Sequence, residues 1–427
     1  MLLNRTVCSS FRHQRLLICC EQQNTKYSIS SSSNKKYSVS SSSDKIESTM
    51  KKLVSAKQYK NALNLFNKQS GTSTNQTINM AMKACTKLRD FKTGFDIQRK
   101  LSPESLNDPY IQTSLIHFHM QNHQVDHAYR FFSSIVKKSN PTYAAMMKGL
   151  ITNRLPEKAL DLFDEMIIEP DDVTFVVLLN ACAKTGNDRA IKVGKKLVQQ
   201  ISTQYQNSIF VLNSAIYMLM KFGDIQSAES IFNLIKNKDN YTYGVMMKGY
   251  AENKKFDKIL DLYEQMNLKP DHIIYIIVLN ACVQDSHDRA KHIGKTILQQ
   301  IPNICPDKNV LLTSGLNMLM NIGDVSAAER LFRAIRKRDV IAYGAIMHGY
   351  RINDQPLKCF ESFEELKQDN LVPDEIIFNI LFGACSEIGI LSKCKSYYNQ
   401  MPSHFQSQQR IQNALIHMWV SDINFNY

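Results

Sequence analysis

The chain has 427 residues, of which 44% are hydrophobic, while glycine (15) and proline (11) are scarce. This composition supplies a large apolar surface and argues against β-sandwiches and barrels, whose many turns need glycine and proline. The formal net charge of +13 suits a polyanionic partner, either nucleic acid or an acidic membrane surface, although a solvated face and a basic targeting peptide would also produce it.

The N-terminal segment differs from the rest of the chain. Residues 1–20 contain no acidic residue, and Arg5, Arg12 and Arg15 alternate with apolar residues, which is typical of an organellar transit peptide. Two serine tracts follow at Ser28–Ser33 and Ser38–Ser43, and they lack the apolar surface needed to fold. We therefore predict a transit peptide and disordered Ser-rich linker over residues 1–44. No later stretch approaches the roughly 20 apolar residues of a membrane span.

From residue 45 onward the sequence repeats with a period of 100 residues. PTYAAMMKGL begins at Pro141, YTYGVMMKGY at Tyr241 and IAYGAIMHGY at Ile341. The segments that begin at Asp171 and Asp271 also match each other. Each hundred residues divides into three units of about 31–37 residues, and such periods indicate stacked supersecondary units.

Each unit reads as two amphipathic helices joined by a short turn. Tyr143, Met146, Met147 and Leu150 follow helical spacing, and a second apolar stripe follows Pro156. Because neither helix can bury its stripe alone, neighbouring units must stack. The fold class is therefore predicted to be all-α, a right-handed α-solenoid of helix-turn-helix repeats whose first helices line the inner face.

Methionines and cysteines recur at fixed positions of the repeats, which favours a role in the core. The methionines are Met146, Met147, Met246, Met247 and Met347, and the cysteines are Cys85, Cys182, Cys282 and Cys385. No CxxC occurs, so the usual zinc or disulfide-exchange spacing is missing. His117, His119, His123 and His127 do not share one helical stripe, because alignment with Gly223 puts His123 in a turn. We expect no metal site and no cofactor.

The sequence resembles the pentatricopeptide repeat family, in its plant-type class that alternates standard, long and short motifs. The resemblance rests on TYxxMMKGY…ALDLFDEM…PD, LLNAC and NSAIYMLMKFGDIQSAESIF. It covers residues 45–427, about twelve motifs with the last one cut off. The Trp…Gly…Tyr…Pro pattern of tetratricopeptide repeats is absent.

The resemblance implies binding of single-stranded RNA, with one base per repeat. In this family the fifth residue of the first helix and the last residue of the motif select the base, while the second residue packs against the base. The implied pairs are Asn213 with Asp239 for uridine, Ser314 with Asp339 for guanosine, Asn79 with Asp108, and Thr113 with Ser139. Asn379 and Asn413 are two further fifth residues. The implied packing residues are Phe210, Tyr241 and Ile341.

Other fifth residues depart from the family pattern. The standard motifs have Ala144, Gly244 and Gly344, and the long motifs have Val176 and Ile276, none of which offers a side-chain hydrogen bond. Discrimination among bases should therefore be weak, and affinity should come from charge and stacking. Lys148 and Lys248 lie four residues after Ala144 and Gly244, on the same helix face, and are our candidate phosphate contacts.

We expect no catalytic activity. The HxE and CxxC motifs of the deaminase domain that ends many members of this class are missing, as are a P-loop, GxSxG and HExxH. The leading hypothesis is an organellar RNA-binding adaptor for editing, processing or stability, mitochondrial or alternatively plastidial, that works with an enzyme supplied in trans. The alternative is a protein-binding helical-repeat scaffold that does not bind RNA. The sequence leaves the oligomeric state open.

Overall fold

The computed structural model describes residues 42–69, 73–285, 287–300 and 309–416, and every regular element within these ranges is a helix. The predicted transit peptide and Ser-rich linker lie outside the described residues, except that residues 42–44 begin the first helix. The chain divides into two compact units, residues 1–100 and residues 101–427. The first unit contains α1 (Ser42–Ser55), α2 (Tyr59–Asn67), α3 (Asn75–Leu88) and α4 (Phe91–Arg99).

The second unit consists of nine described helical hairpins. Short helices α5 (Pro103–Leu106) and α24 (Ser403–Gln406) precede the first and follow the last hairpin, and residues 409–416 are helical again. The first helices of the hairpins are α6 (Pro109–Gln121), α8 (Asn140–Thr152), α10 (Asp172–Thr185), α12 (Ile209–Lys221), α14 (Asn240–Glu252), α16 (His272–Gln284), α18 (Asn309–Asn321), α20 (Val340–Ile352) and α22 (Glu375–Ile388). The second helices are α7 (Val125–Ser134), α9 (Pro156–Asp164), α11 (Asp188–Gln200), α13 (Ile225–Leu234), α15 (Phe256–Glu264), α17 (Asp288–Gln300), α19 (Val325–Ala334), α21 (Leu357–Gln368) and α23 (Leu391–Gln400).

The spacing of the hairpins follows the sequence repeat. From α6 to α12 the first helices begin 31, 32 and 37 residues apart, and the same three spacings recur from α12 to α18. The additional residues of the longest unit include the π-helical turn Ile201–Tyr205, which continues α11. The predicted units of 31–37 residues are confirmed.

Local sequence signals begin and end the helices of each hairpin. Gly223 and Gly323 end the turns after α12 and α18 with φ of 77° and 81°, a left-handed conformation that glycine adopts at low cost. His123 occupies the equivalent turn with φ of 57°, as predicted from its alignment with Gly223. Within the described residues no group of three or more His, Cys, Asp or Glu side chains could hold a metal ion.

Each first helix packs against its own second helix and against the first helix of the next hairpin. The second helix also packs against that next first helix. The core prediction is confirmed, since Met146, Met147, Met246, Met247 and Met347 are all fully buried. The four repeated cysteines are likewise buried and free. Burial raises the pKa of the Cys182 thiol to about 12, so it remains an inert thiol. No helix in the described part of the chain combines the length and apolarity needed to cross a bilayer.

Methionine packs against glycine where successive first helices approach each other. Met120, Met220 and Met320 contact Gly149, Gly249 and Gly349 respectively, at 100-residue intervals. Beside the contact, Asn253 Nδ2 donates to the carbonyl oxygen of Met220 at 2.9 Å and to that of Gly249 at 2.8 Å. The amide thus joins two neighbouring first helices at the point of closest packing.

We predict that Gly249→Ala destabilises the protein. The added methyl group would lie 2.8 Å from Met220 Cβ and closer still to Met220 Cγ, so the two helices must separate. Overpacking of this kind costs about 1–3 kcal/mol, and the melting temperature should fall.

Gly244→Ala in the same helix is the matched control. Its added methyl group would meet only Ile274 Cδ1, at 3.7 Å. Replacing an unstrained helical glycine by alanine stabilises a helix by about 0.5–1 kcal/mol. Equal melting temperatures for the two variants would contradict this view of the helix contact.

Candidate nucleic-acid interface

In five motifs the closing residue is an aspartate that forms the N-cap of the following first helix. Asp171, Asp239, Asp271, Asp339 and Asp374 each accept a hydrogen bond from a backbone N–H in the first turn, always through Oδ1. An N-cap carboxylate satisfies an otherwise unpaired backbone donor and stabilises the helix by about 1 kcal/mol. Each carboxylate is thereby held at the N-terminal edge of the first-helix layer.

Asn213 and Asp239 are joined through a third side chain. Asn213 is the fifth residue of α12 and is only 3% exposed. Its Nδ2 donates to Thr242 Oγ1 at 3.2 Å, and Thr242 Oγ1 donates to Asp239 Oδ1 at 2.9 Å. The structure therefore brings this sequence-predicted pair together, but within the boundary between α12 and α14 and not on an open surface.

The pair Ser314 and Asp339 needs a correction of register. The fifth residue of α18 is Thr313, and Ser314 is the sixth. The Ser314 hydroxyl donates to the carbonyl oxygen of Val310 at 3.0 Å. The true counterpart of Asn213 is therefore Thr313, which lies 100 residues further on and still carries a hydroxyl.

The remaining predicted selector residues lie in varied environments. Thr113 is the fifth residue of α6 and donates to the carbonyl oxygen of Pro109 at 2.7 Å, while Ser139 Oγ lies 2.8 Å from Thr142 Oγ1. Asn79, the fifth residue of α3, belongs to the first unit, and Asp108 caps α6 in the second unit. Asn379 is the fifth residue of α22 and half-buried, and Asn413 is exposed.

Exposed apolar side chains recur at the second residue of the first helices. Tyr110 is 73% exposed and Ile341 is 52% exposed, although large apolar side chains usually lie inside a protein. A regular row of exposed apolar side chains marks a surface that contacts a partner. The row consists of Tyr110, Val173, Tyr241, Ile273, Val310 and Ile341. Phe210, the second residue of α12, is half-buried in the same position.

A second row follows at the ninth residue of the first helices. Lys148, Lys248 and His348 are the ninth residues of α8, α14 and α20, and all three are half-buried. Five other first helices also have a half-buried polar ninth residue, namely His117, Asn180, Tyr217, Asn280 and Asn317. Sequence reasoning selected only the two lysines. A polar residue such as Asn280, within the otherwise apolar middle of α16, was a visible signal in the sequence.

The ninth-residue row includes a histidine that stays neutral in the folded chain. Burial, reinforced by the positive charge of Arg351, lowers the pKa of His348 to about 4. The unfolded chain binds this proton near pH 6.5. Acidification from pH 6.5 to 4 therefore favours the unfolded state.

We predict that the melting temperature of the wild type falls more steeply over this pH range than that of His348→Asn. Asparagine is the natural ninth residue of α16 and α18, so the replacement suits this position. Circular dichroism melts at half-unit pH intervals measure the difference. Parallel pH profiles would exclude a neutral, buried His348.

Comparison with known proteins finds matches to repeat families in parts of the chain. A model of the PPR repeat family matches residues 138–184, and a PPR repeat model matches residues 241–269 and 341–371. A pentatricopeptide repeat-containing protein of Arabidopsis thaliana is 26% identical over 81% of this chain and 51% of its own length. The chloroplastic protein CRR2 of the same plant is 24% identical over 80% of this chain and 53% of its own length. The chain thus spans about half the length of these two relatives.

Solved structures show the same fold. The crystal structure of PPR10 from maize matches 93% of this chain and 62% of that protein, with a TM-score of 0.60 and 15% sequence identity. PPR10 in complex with an 18-nt psaJ RNA element matches 89% of this chain and 60% of that one, with a TM-score of 0.67 and 15% identity. The tandem helical-repeat fold predicted from the sequence is confirmed.

Proposed function

We propose that the chain binds single-stranded RNA along its first helices and serves as an organellar adaptor in RNA editing, processing or stability. The main observation that supports this proposal is the row of exposed apolar second residues, which lie beside the N-cap carboxylates. Aromatic and apolar side chains provide stacking surfaces for bases in single-stranded RNA. Such a surface recurs at six of the nine described hairpins, which suits a strand whose own unit, the nucleotide, also repeats.

The solved complex of PPR10 with RNA supports this proposal, because it shows an RNA strand bound by a protein of the same fold. The recurring units of 31, 32 and 37 residues support membership of the class with standard, short and long motifs. The acid-free, arginine-bearing start supports import into an organelle, and we favour the mitochondrion over the plastid.

Base reading should be confined to a few motifs. Asn213 has an amide that can pair with a base edge, and Thr113 and Thr313 have hydroxyl groups. Ala144, Gly244 and Gly344 offer no side-chain polar atom at the fifth residue. At these hairpins the RNA is held by stacking and charge, and the polypeptide acts as a binding protein that recruits an enzyme in trans.

The phosphate contacts are assigned to Lys148 and Lys248. Each lies four residues after the fifth residue on the same helix face, one turn away from the proposed base. The ammonium group of lysine lies at the end of a flexible side chain. It suits a phosphate, because a phosphate can be bound through its charge without a fixed geometry.

The proposed function is tested by selection. The full chain is incubated with a random single-stranded RNA pool, and the bound RNA is sequenced. We expect enrichment of uridine at one position and guanosine three nucleotides downstream, opposite the hairpins of Asn213 and Thr313. Salt-sensitive binding without enrichment would show a general RNA clamp, and no binding at low salt would leave the protein-scaffold alternative.

We further predict that Lys148→Gln combined with Lys248→Gln weakens binding uniformly across RNA sequences. For single strands each neutralised phosphate contributes about 0.7 to the slope of log K against log salt, so two lost contacts should reduce the slope by about 1.4. Fluorescence anisotropy titrations at several salt concentrations measure this slope.

Lys195→Gln combined with Lys196→Gln is the control of equal charge, since both residues are exposed on the second helix α11. This variant should keep the wild-type slope. If both double variants changed the slope equally, the lysines of the first helices would not be specific phosphate contacts.

A further inference from the structure

Thr242 occupies a position between the two predicted selector residues of one motif. It is the third residue of α14 and is fully buried. Its backbone N–H donates to Asp239 Oδ1 at 2.8 Å, and its hydroxyl donates to the same oxygen at 2.9 Å. The same hydroxyl oxygen accepts from Asn213 Nδ2 at 3.2 Å.

The protons in this network fix the orientation of the Asn213 amide. An ionised carboxylate can only accept, so the single hydroxyl proton of Thr242 is committed to Asp239. Thr242 Oγ1 can then only accept from Asn213. The amide nitrogen must face Thr242, and a flipped amide would set two acceptors against each other.

The opposite end of the amide is left without a partner. Asn213 Oδ1 is buried and accepts no hydrogen bond from any residue that the structure describes. A buried acceptor that remains unpaired destabilises the folded chain. The site is therefore ready to accept a hydrogen bond from a donor that enters beside α12, where Phe210 and Tyr241 are the second residues of the two adjoining first helices.

We infer that Thr242 is a positioning residue that makes this motif specific for bases with an imino N–H beside a keto oxygen. Uracil and guanine have this pair, so the imino group donates to Asn213 Oδ1 and the second Nδ2 proton can reach the keto oxygen. Cytosine and adenine place an acceptor where the imino proton is required, and they are rejected. This inference rests on the proposed RNA binding, and it adds the Thr242 hydroxyl as the group that orients the Asn213 amide.

Threonine at the same position makes different contacts in other motifs. Thr142, the third residue of α8, pairs with Ser139, and Thr174, the third residue of α10, donates to the carbonyl oxygen of Asn140 at 3.3 Å. In α20 the third residue is Ala342, which has no hydroxyl group. A threonine at the third residue of another first helix, such as Thr142, therefore serves as a matched control.

The test compares wild type, Thr242→Val and Thr242→Ser in the full chain. The nucleotide read by Asn213 is first located as the position whose enrichment disappears in Asn213→Ala. Affinities are then measured for four RNAs that differ only at this nucleotide. We expect wild type and Thr242→Ser to prefer uridine over cytidine by about tenfold or more, as an unpaired buried acceptor implies.

Valine has the shape of threonine but lacks the hydroxyl, so the Asn213 amide becomes free to turn. In Thr242→Val the preference should fall to about twofold while general RNA affinity is retained. Thr142→Val, the same change at the same helix position, should leave this preference intact. Circular dichroism melts verify that the variants are folded.

Three results would overturn the inference. Full discrimination in Thr242→Val would show that the hydroxyl does not orient the amide. Failure of Thr242→Ser to restore discrimination would assign the effect to packing. Wild-type binding without a preference at this nucleotide would leave the proposed RNA binding intact and remove only the role of Thr242, whereas absence of any RNA binding would overturn both.

Discussion

The contact between successive first helices is the constraint on which residues 101–427 depend. A hairpin of two amphipathic helices cannot bury its apolar stripe, so each first helix must pack closely on the next. Met220 fills the space that a missing side chain leaves at Gly249, and Asn253 donates to a carbonyl oxygen of each helix. The same contact recurs 100 residues earlier and later. At these three helix pairs the contact brings the C-terminal parts of neighbouring first helices close together, just beyond the ninth residues of the candidate interface.

The closing aspartates are first of all helix caps, and in one motif the cap carboxylate takes part in a longer hydrogen-bond network. Each cap uses Oδ1 to satisfy backbone donors, which is sufficient to explain an aspartate at this place. At Asp239 the same oxygen also accepts the Thr242 proton and thereby orders Asn213. Asp339 caps α20 without such a relay, because Ala342 replaces threonine. The closing aspartate therefore caps a helix in both motifs, and only at Asp239 do the surrounding residues extend the cap to an amide.

The sequence predicted the hairpins, their spacing and their core because these depend on helical periodicity, which a 100-residue repeat displays several times. Met146 and Cys182 are buried for the same reason. The register of α18 was wrong by one residue at Ser314, because the helix start, and not the apolar pattern, defines the fifth residue. Burial of Asn213 and its bond to Thr242 join residues 29 positions apart and could not be read from spacing. The polar ninth residues were visible in the sequence, but only Lys148 and Lys248 were selected, and the recurrence of a polar residue at this helix position was missed.

The distribution of polar fifth residues limits what this chain can recognise alone. Under the proposed RNA binding, the second unit offers base edges the amides of Asn213 and Asn379 and the hydroxyl groups of Thr113 and Thr313, whereas the intervening standard and long motifs have alanine, glycine, valine or isoleucine. A correctly satisfied buried polar group discriminates by about 1–3 kcal/mol, so a few such readers select a short, gapped pattern of nucleotides and not one unique transcript. Under the proposed RNA binding, the exposed apolar second residues of six hairpins would add affinity without adding selectivity. The proposed selectivity therefore depends on the few polar fifth residues, and the proposed affinity depends on the repeated apolar surface.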